Sequence, residues 1–194
     1  MNDQTRTHIV DAVETHKRMA AEFESRGLET VAAIAQMVVD VFQRGSTVYL
    51  CGNGGSAADA QHIAGEFVGR FHRQRRALPA VAFSTDTSVL TCIANDYAYE
   101  KVFARQAEAL VREGDVLWAF STSGTSANVV AAAKVARDRG ARVIAFTGRP
   151  DSELERIADI CLCAEDESTA RSQEIHQLAY HIICDLVDRN FTND

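Results

Sequence analysis

The chain contains no run of about 18 apolar residues, the length a helix needs to cross a bilayer. Its opening, MNDQTRTHIVDAVETHKRMAAEF, is polar and helix-patterned where a secretory leader would carry an apolar stretch. A cytoplasmic protein without membrane contact is the expectation. No Cys-x-x-Cys spacing occurs among Cys51, Cys92, Cys161, Cys163 and Cys184, whose odd number and mostly apolar surroundings speak against a disulfide framework. Cys161 and Cys163, two apart, would share one face of a strand and are poorly spaced for a zinc clip, so reduced, buried thiols are expected. There are only two prolines, no low-complexity stretch and no internal repeat. Positive charge is scarce too: 20 Lys and Arg stand against 27 Asp and Glu, a net charge of −7, which argues against a general polyanion binder and direct nucleic-acid contact. One basic run, RFHRQRR at 70–76, goes against that balance. It reads either as a solvated loop or as a local contact for an anionic substrate or partner, and is too short to suggest nucleic acid.

What is present is a change of period. At 194 residues and 46% hydrophobic composition the chain can bury one substantial core. Two amphipathic helical patterns open it, at 5–25 and 28–44. Short continuous apolar runs follow at 47–51, 78–83, 116–120, 142–146 and 160–163, separated by helical patterns at 57–70, 99–111, 126–139 and 170–190. Such runs between turn signals read as buried parallel strands, and the alternation predicts one α/β domain with about five strands covered on both faces. Residues 1–45 form a helical arm ahead of the domain at 46–194. The crossover helices already occupy the sheet's faces, so the arm is expected to cover a second subunit rather than its own sheet.

Two loops leave the carboxyl ends of expected strands, where open α/β sheets bind ligands. The first, CGNGGS at 51–56, lets backbone N–H groups approach an anion at a helix N-terminus, with Ser56 a good N-cap. It lacks the Lys of a P-loop and the spacing of a dinucleotide fingerprint, and a purely structural turn explains it equally well when taken alone. The second, STSGTS at 121–126, offers five hydroxyls and a glycine before a helix, enough to wrap a phosphate without net positive charge. The helix after the first loop carries His62 and Glu66 four residues apart, on one face, a sensible ligand pair for zinc although such pairs are common by chance. In the last helix His181 stands among apolar neighbours. Spacing nominates Gln177 with it as a ligand pair, and a satisfied core histidine is the plainer reading.

The chain resembles the phosphoheptose isomerases, a branch of the SIS-domain proteins, at CGNGGSAADAQHIAGEFVGRF (51–71), LPAVAFSTDTSVLTCIANDY (78–97), VFARQ (102–106), EGDVLWAFSTSGTSANV (113–129) and QEIH followed by His181 (173–181). The resemblance spans about 45–190. It implies a single SIS domain, a doubly wound parallel sheet, and a homotetramer with active sites near subunit boundaries. It places one zinc ion per subunit on His62, Glu66, Gln173 and His181, so that Gln173 replaces Gln177. Sugar-phosphate contacts fall on Asn53, Gly54, Gly55, Asn95, Asp96, Ser121, Thr122, Ser123, Ser126 and Gln173, with Ser56 added as a neighbour in the first loop. The implied reaction converts sedoheptulose 7-phosphate to D-glycero-D-manno-heptose 7-phosphate through an enediolate, for nucleotide-activated heptose synthesis, with Glu66 as base and His181 as acid. Asp59, three residues before His62, is a candidate assistant. On a straight helix Gln173 and His181 lie about 12 Å apart along the axis, so one ion could bind both only with an irregular turn or with ligands from neighbouring subunits.

The chain departs from the family pattern at Thr147-Gly148-Arg149-Pro150-Asp151-Ser152, which lacks a common Gly-Gly pair, at 163–168, where Val-Pro-Ser is more usual, and at Ser172, where Ile is common. Two rival readings accompany the resemblance. One is a non-catalytic tetrameric SIS relative that binds the bacterial replication initiator; that branch lacks the acid at the position of Glu66 and alters the second Gly of the first loop, whereas both are intact here. The other is an isomerase or sensor for a different sugar phosphate.

Overall fold

The structure, a computed structural model, describes residues 1–192; the last two positions of the expected domain, 193 and 194, lie outside the described residues. The five strands are β1 (Val48–Gly52), β2 (Ala80–Ala82), β3 (Val116–Ser121), β4 (Arg142–Thr147) and β5 (Ile160–Cys163). All pair in parallel, in the order β2-β1-β3-β4-β5. This is a doubly wound sheet whose direction of growth reverses between β1 and β3. The expected strands are all there. Only β2 is markedly shorter than its apolar run: Pro79 has no N–H to donate and accepts from Val48 instead, while Val81 faces out from the sheet edge.

Eight α-helices complete the described chain: α1 (Asp3–Arg26), α2 (Leu28–Gln43), α3 (Gly55–Val68), α4 (Thr87–Asp96), α5 (Ala104–Leu110), α6 (Ala127–Asp138), α7 (Glu153–Ile157) and α8 (Thr169–Asn190). Alternate residues of β3 face opposite sides. Trp118 and Phe120 join Phe42, Phe67, Phe146 and Tyr180 under α2, α3 and α8, whereas Leu117 and Ala119 join Val129, Ala133 and Val143 under α5, α6 and α7. Two helices were not anticipated. Both are short and begin on side-chain caps, Asp86 accepting from the Val89 amide (3.0 Å) and Ser152 from the Glu155 amide (3.4 Å).

The expectation that the arm covers a second subunit fails for its second half. Ile34, Val38 and Phe42 of α2 are fully buried against β1, β5 and α8, so α2 is a sheet-covering helix of its own domain. The crossovers leave that place open because α3 and α8 do not fill the face by themselves. α1 meets α8 and α2 through Met19 and Phe23, and its first half exposes Ile9, Val10 and Val13. Cys51 and Cys184 are buried as expected, Cys161 and Cys163 are half-buried, and Cys92 is exposed.

The basic run is structural. Arg75 is buried with Asp188, its Nε donating to Oδ1 at 2.7 Å, and its remaining N–H groups donate to the carbonyls of Glu66, Phe67, Gly69 and Arg76. Asp188 also accepts the amides of His72 and Arg73, and Arg73 pairs with Asp185 at 2.8 Å. The loop is thereby tied to the C-terminal ends of both α3 and α8.

Candidate active site

At the switch point Gly52 of β1 pairs with Phe120 of β3, so the glycine loop and the serine loop emerge side by side and then diverge, one into α3 and the other into α6. Ligands of doubly wound folds bind at such a crevice. Gly54 has φ +57° and ψ −121°, a conformation closed to other residues, and it rather than Ser56 is the N-cap of α3. Ser56 instead sits buried in the first turn. Gly55 differs in kind: a Cβ there would lie 2.7 Å from the Oε1 of Gln173, so the glycine leaves room for that side chain in the cleft.

Between these loops lies a cleft of about 280 Å³, lined by Asn53, Gly54, Gly55, Ser56, Phe120, Ser121, Thr122, Ser126, Thr169 and Gln173. The N-termini of three helices reach it: Gly55 and Ser56 open α3, Ser126 precedes α6, and Thr169 opens α8. No side chain caps any of the three. Their partial positive charge reaches a cleft whose lining has no charged side chain, so an anion would be held by dipoles and hydroxyls alone. The Ser121 hydroxyl donates to that of Ser126 at 2.9 Å and lies 3.3 Å from that of Ser123. Asn53 and the buried Asn128 exchange amide hydrogen bonds, both 2.9 Å, and the Tyr99 hydroxyl donates to Asn53 Oδ1 at 3.1 Å.

Ser123 supports the loop without lining the cleft, its Oγ accepting from the Thr125 amide at 3.3 Å. Asn95 and Asp96 are exposed at the end of α4, outside the lining; the Asn95 amide donates to Asp96 Oδ1 at 2.8 Å. Two of the departures from the family pattern are absorbed locally. Asp151 takes up a positive φ of 55°, which aspartate tolerates better than most residues, and the buried Ser172 hydroxyl donates to the Ala164 carbonyl at 2.7 Å.

Two turns further along α3 and α8 the chemistry changes. His62 Nε2 lies 3.1 Å from Glu66 Oε1, and the His62 and His181 rings are 5.0 Å apart, edge to face. Phe71 stacks on His181 at 5.8 Å. Burial, and then the neighbouring His62, push the His181 imidazole below its ordinary pKa, with Glu66 opposing. The Tyr180 hydroxyl lies 3.0 Å from His62 Nδ1 and 3.4 Å from Asp59 Oδ1. Burial raises Asp59 to about 6, against the Tyr180 hydrogen bond and His62.

The His62–Glu66 separation suits a shared ion, since a tetrahedral zinc with bonds of about 2.0–2.1 Å has ligand-to-ligand edges of about 3.3 Å. Gln173, the fourth ligand implied by the resemblance, lies two turns before His181 on α8. Among the described residues no three His, Cys, Asp or Glu groups are placed to hold a metal, and Gln173 sits in the cleft against Gly55.

Asn128, Tyr99 and Tyr180 were not anticipated from the sequence. Asn128 stands alone as an amide in the apolar run of α6 and Tyr180 adjoins His181, which are faint signals; nothing in the sequence near Tyr99 points to Asn53.

Residues 13–148 match the SIS domain family. A phosphoheptose isomerase of Roseiflexus sp. (strain RS-1) is 50% identical over 185 residues, covering 93% of this chain and 92% of its own. One of Thiobacillus denitrificans (strain ATCC 25259 / T1) is 55% identical over 157 residues, 79% of this chain and 80% of its own. Among solved structures, phosphoheptose isomerase GmhA from Neisseria gonorrhoeae superposes with a TM-score of 0.86 at 40% identity, over 96% of this chain and 98% of that one. A phosphoheptose isomerase from Francisella tularensis gives 0.87 at 31% identity, over 97% and 100%. The chain belongs to the SIS-domain family and, within it, to the phosphoheptose isomerases.

Proposed function

We propose that this isomerase interconverts sedoheptulose 7-phosphate and D-glycero-D-manno-heptose 7-phosphate through an enediolate, in the cytoplasm, as a step in nucleotide-activated heptose synthesis. The observation that carries the reading is the pairing of an uncharged anion cleft with an ionisable cluster on the same two helices. From Gly55 to His62 α3 rises about 10 Å, the order of an extended seven-carbon chain, so a phosphate in the cleft leaves the far end of the sugar near Glu66 and His181.

In this reading the cleft's amide groups and the hydroxyls of Ser56, Ser121, Thr122 and Ser126 hold the phosphate, and Asn53, fixed by Asn128, orients the sugar. Ser123 braces the serine loop, while Asn95, Asp96 and Gln173 contact the substrate's polar groups. Glu66 removes a proton from C1 and His181 delivers one to C2, while O1 loses a proton and O2 gains one. The net reaction moves two hydrogens within the substrate and consumes nothing. A zinc ion, if bound, would be held by His62, Glu66 and His181 with Gln173 as the fourth ligand, and would supply Lewis-acid polarisation of the substrate carbonyl. The homotetramer belongs to the same reading, because a neighbouring subunit relieves the separation of Gln173 from the cluster.

No observation favours the initiator-binding protein or a different sugar phosphate, so neither is carried further. The test is turnover: the purified chain with zinc should form the aldose heptose 7-phosphate from sedoheptulose 7-phosphate and leave hexose 6-phosphates unchanged. Absence of turnover, or preference for a hexose phosphate, would overturn the reading.

A further inference from the structure

Tyr180 is fully buried, and its hydroxyl has two close partners, His62 Nδ1 at 3.0 Å and Asp59 Oδ1 at 3.4 Å. A tyrosine hydroxyl has a single hydrogen to give. An ionised carboxylate only accepts, and the other oxygen of Asp59, Oδ2, is buried without a partner. Giving the hydrogen to Asp59 supplies that carboxylate with a donor, and the hydroxyl's lone pair is then free for an N–H on His62. That direction puts the His62 hydrogen on Nδ1 and leaves Nε2 with a lone pair facing Glu66 Oε1 across 3.1 Å.

We propose that the Tyr180 hydroxyl, anchored by Asp59, is a positioning residue that holds His62 in the Nδ1–H tautomer with Nε2 presented toward Glu66. The inference deepens the reading above and rests on it for the consequence that Nε2 is the metal-binding atom. With no hydrogen on Nε2, that nitrogen and Glu66 Oε1 are both available as ligand atoms, so the wiring favours capture of a cation beside Glu66 in place of an Nε2–H to Oε1 hydrogen bond. The edge-to-face contact of the two rings, with centroids 5.5 Å apart, keeps the imidazole from turning. An outer-shell hydrogen bond of this kind typically governs tenfold to hundredfold of metal affinity.

The experiment compares the full-length chain with its Tyr180→Phe variant, which removes one oxygen and keeps the ring. With histidines labelled in ¹⁵N, the metal-free protein at about pH 8, where imidazole is neutral, should show His62 with Nδ1 protonated. The variant should shift toward Nε2–H, which can then donate to Glu66. In competition with a chromophoric chelator its zinc affinity should fall about tenfold to a hundredfold, while the melting temperature falls modestly because the buried Asp59 carboxylate loses its donor. An Nε2–H tautomer in the unmodified chain, or the same tautomer in both proteins, overturns the proposal. If Tyr180→Phe does not fold, Asp59→Ala reads the same signature, since the acceptor of the hydroxyl hydrogen is removed. If the unmodified chain binds no zinc, the metal assignment under the proposed function falls, and the tautomer signature still decides this one alone.

Discussion

Where α3 and α8 begin, Gly55, Ser56, Thr169 and Gln173 meet with no charged side chain among them; two turns further along, His62, Glu66 and His181 are all ionisable. The first region is built from two loops and three helix starts of this chain. Its loops are pinned by hydroxyl and amide bonds, and its field comes from helix termini that do not titrate. The second is open to solvent on one side, and Gln173, the fourth metal ligand implied by the resemblance, lies in the cleft against Gly55. The difference separates binding from chemistry: a dipolar cradle holds phosphate at any working pH, whereas proton transfer needs groups whose charge can change.

The sharpest way to break that separation is Glu66→Gln. Removing a general base costs about a thousandfold in kcat, while affinity for the product phosphate ester, measured by calorimetry, should stay within about twofold. A matching loss of affinity would show that the two regions are one. The next largest effect tests what holds the cluster in place. Arg75→Met leaves Asp188 charged and buried, and should cost about 3–5 kcal/mol in denaturant unfolding. Arg75 Nη2 also donates to the Glu66 carbonyl at 2.7 Å, so residual activity should fall further than inorganic-phosphate binding.

The sequence made the cleft far more legible than the cluster. Glycine and serine loops after apolar runs carry their own explanation, because backbone conformation and helix termini are local properties, and Gly54, Gly55, Ser121 and Ser126 lie where the pattern predicts. The cluster depends on how α3 meets α8, a long-range packing fact. His62 and Glu66 were readable as an i, i+4 pair, but His181 joined them only through the family resemblance, and Tyr180 closes the group with a residue whose pattern reads simply as core. The arm misled for a related reason. Counting crossover helices does not say how much of a sheet face they cover, and α2 fills what remains. The two short helices were missed because α7 is too brief to show a period and α4 is announced mainly by its Asp86 cap.

Beneath the cleft, His176 sharpens the contrast by being ionisable yet kept uncharged. It is buried against Phe120 and Phe146, and its Nε2 pairs with the Thr147 carbonyl at 2.9 Å while Nδ1 has no partner. Burial lowers its pKa to about 4, the carbonyl opposing. A depressed histidine pKa means that the unfolded chain takes up the proton first. Stability from this residue is therefore complete above about pH 6.5 and declines as pH falls toward 4, by up to the order of 3 kcal/mol. Denaturant midpoints at pH 7 and pH 4.5 should show a smaller difference in His176→Phe than in the unmodified chain; an equal difference would assign the acid sensitivity elsewhere.

Gly55→Ala gives the smallest effect and bears most directly on where Gln173 belongs. The added Cβ meets only the amide end of Gln173, a flexible group that can withdraw, so folding stability should change by less than about 1 kcal/mol. If Gln173 acts where it now lies, against the phosphate cleft, its withdrawal should raise KM about tenfold and leave kcat nearly unchanged, the signature of lost uniform binding. A fall in kcat with KM constant would place the Gln173 amide with the reacting end of the sugar during turnover. Zinc content then separates the two ways this could happen. A loss of metal together with kcat would make Gln173 a ligand reaching a neighbouring subunit's cluster, and retained metal would leave it a contact to substrate oxygens.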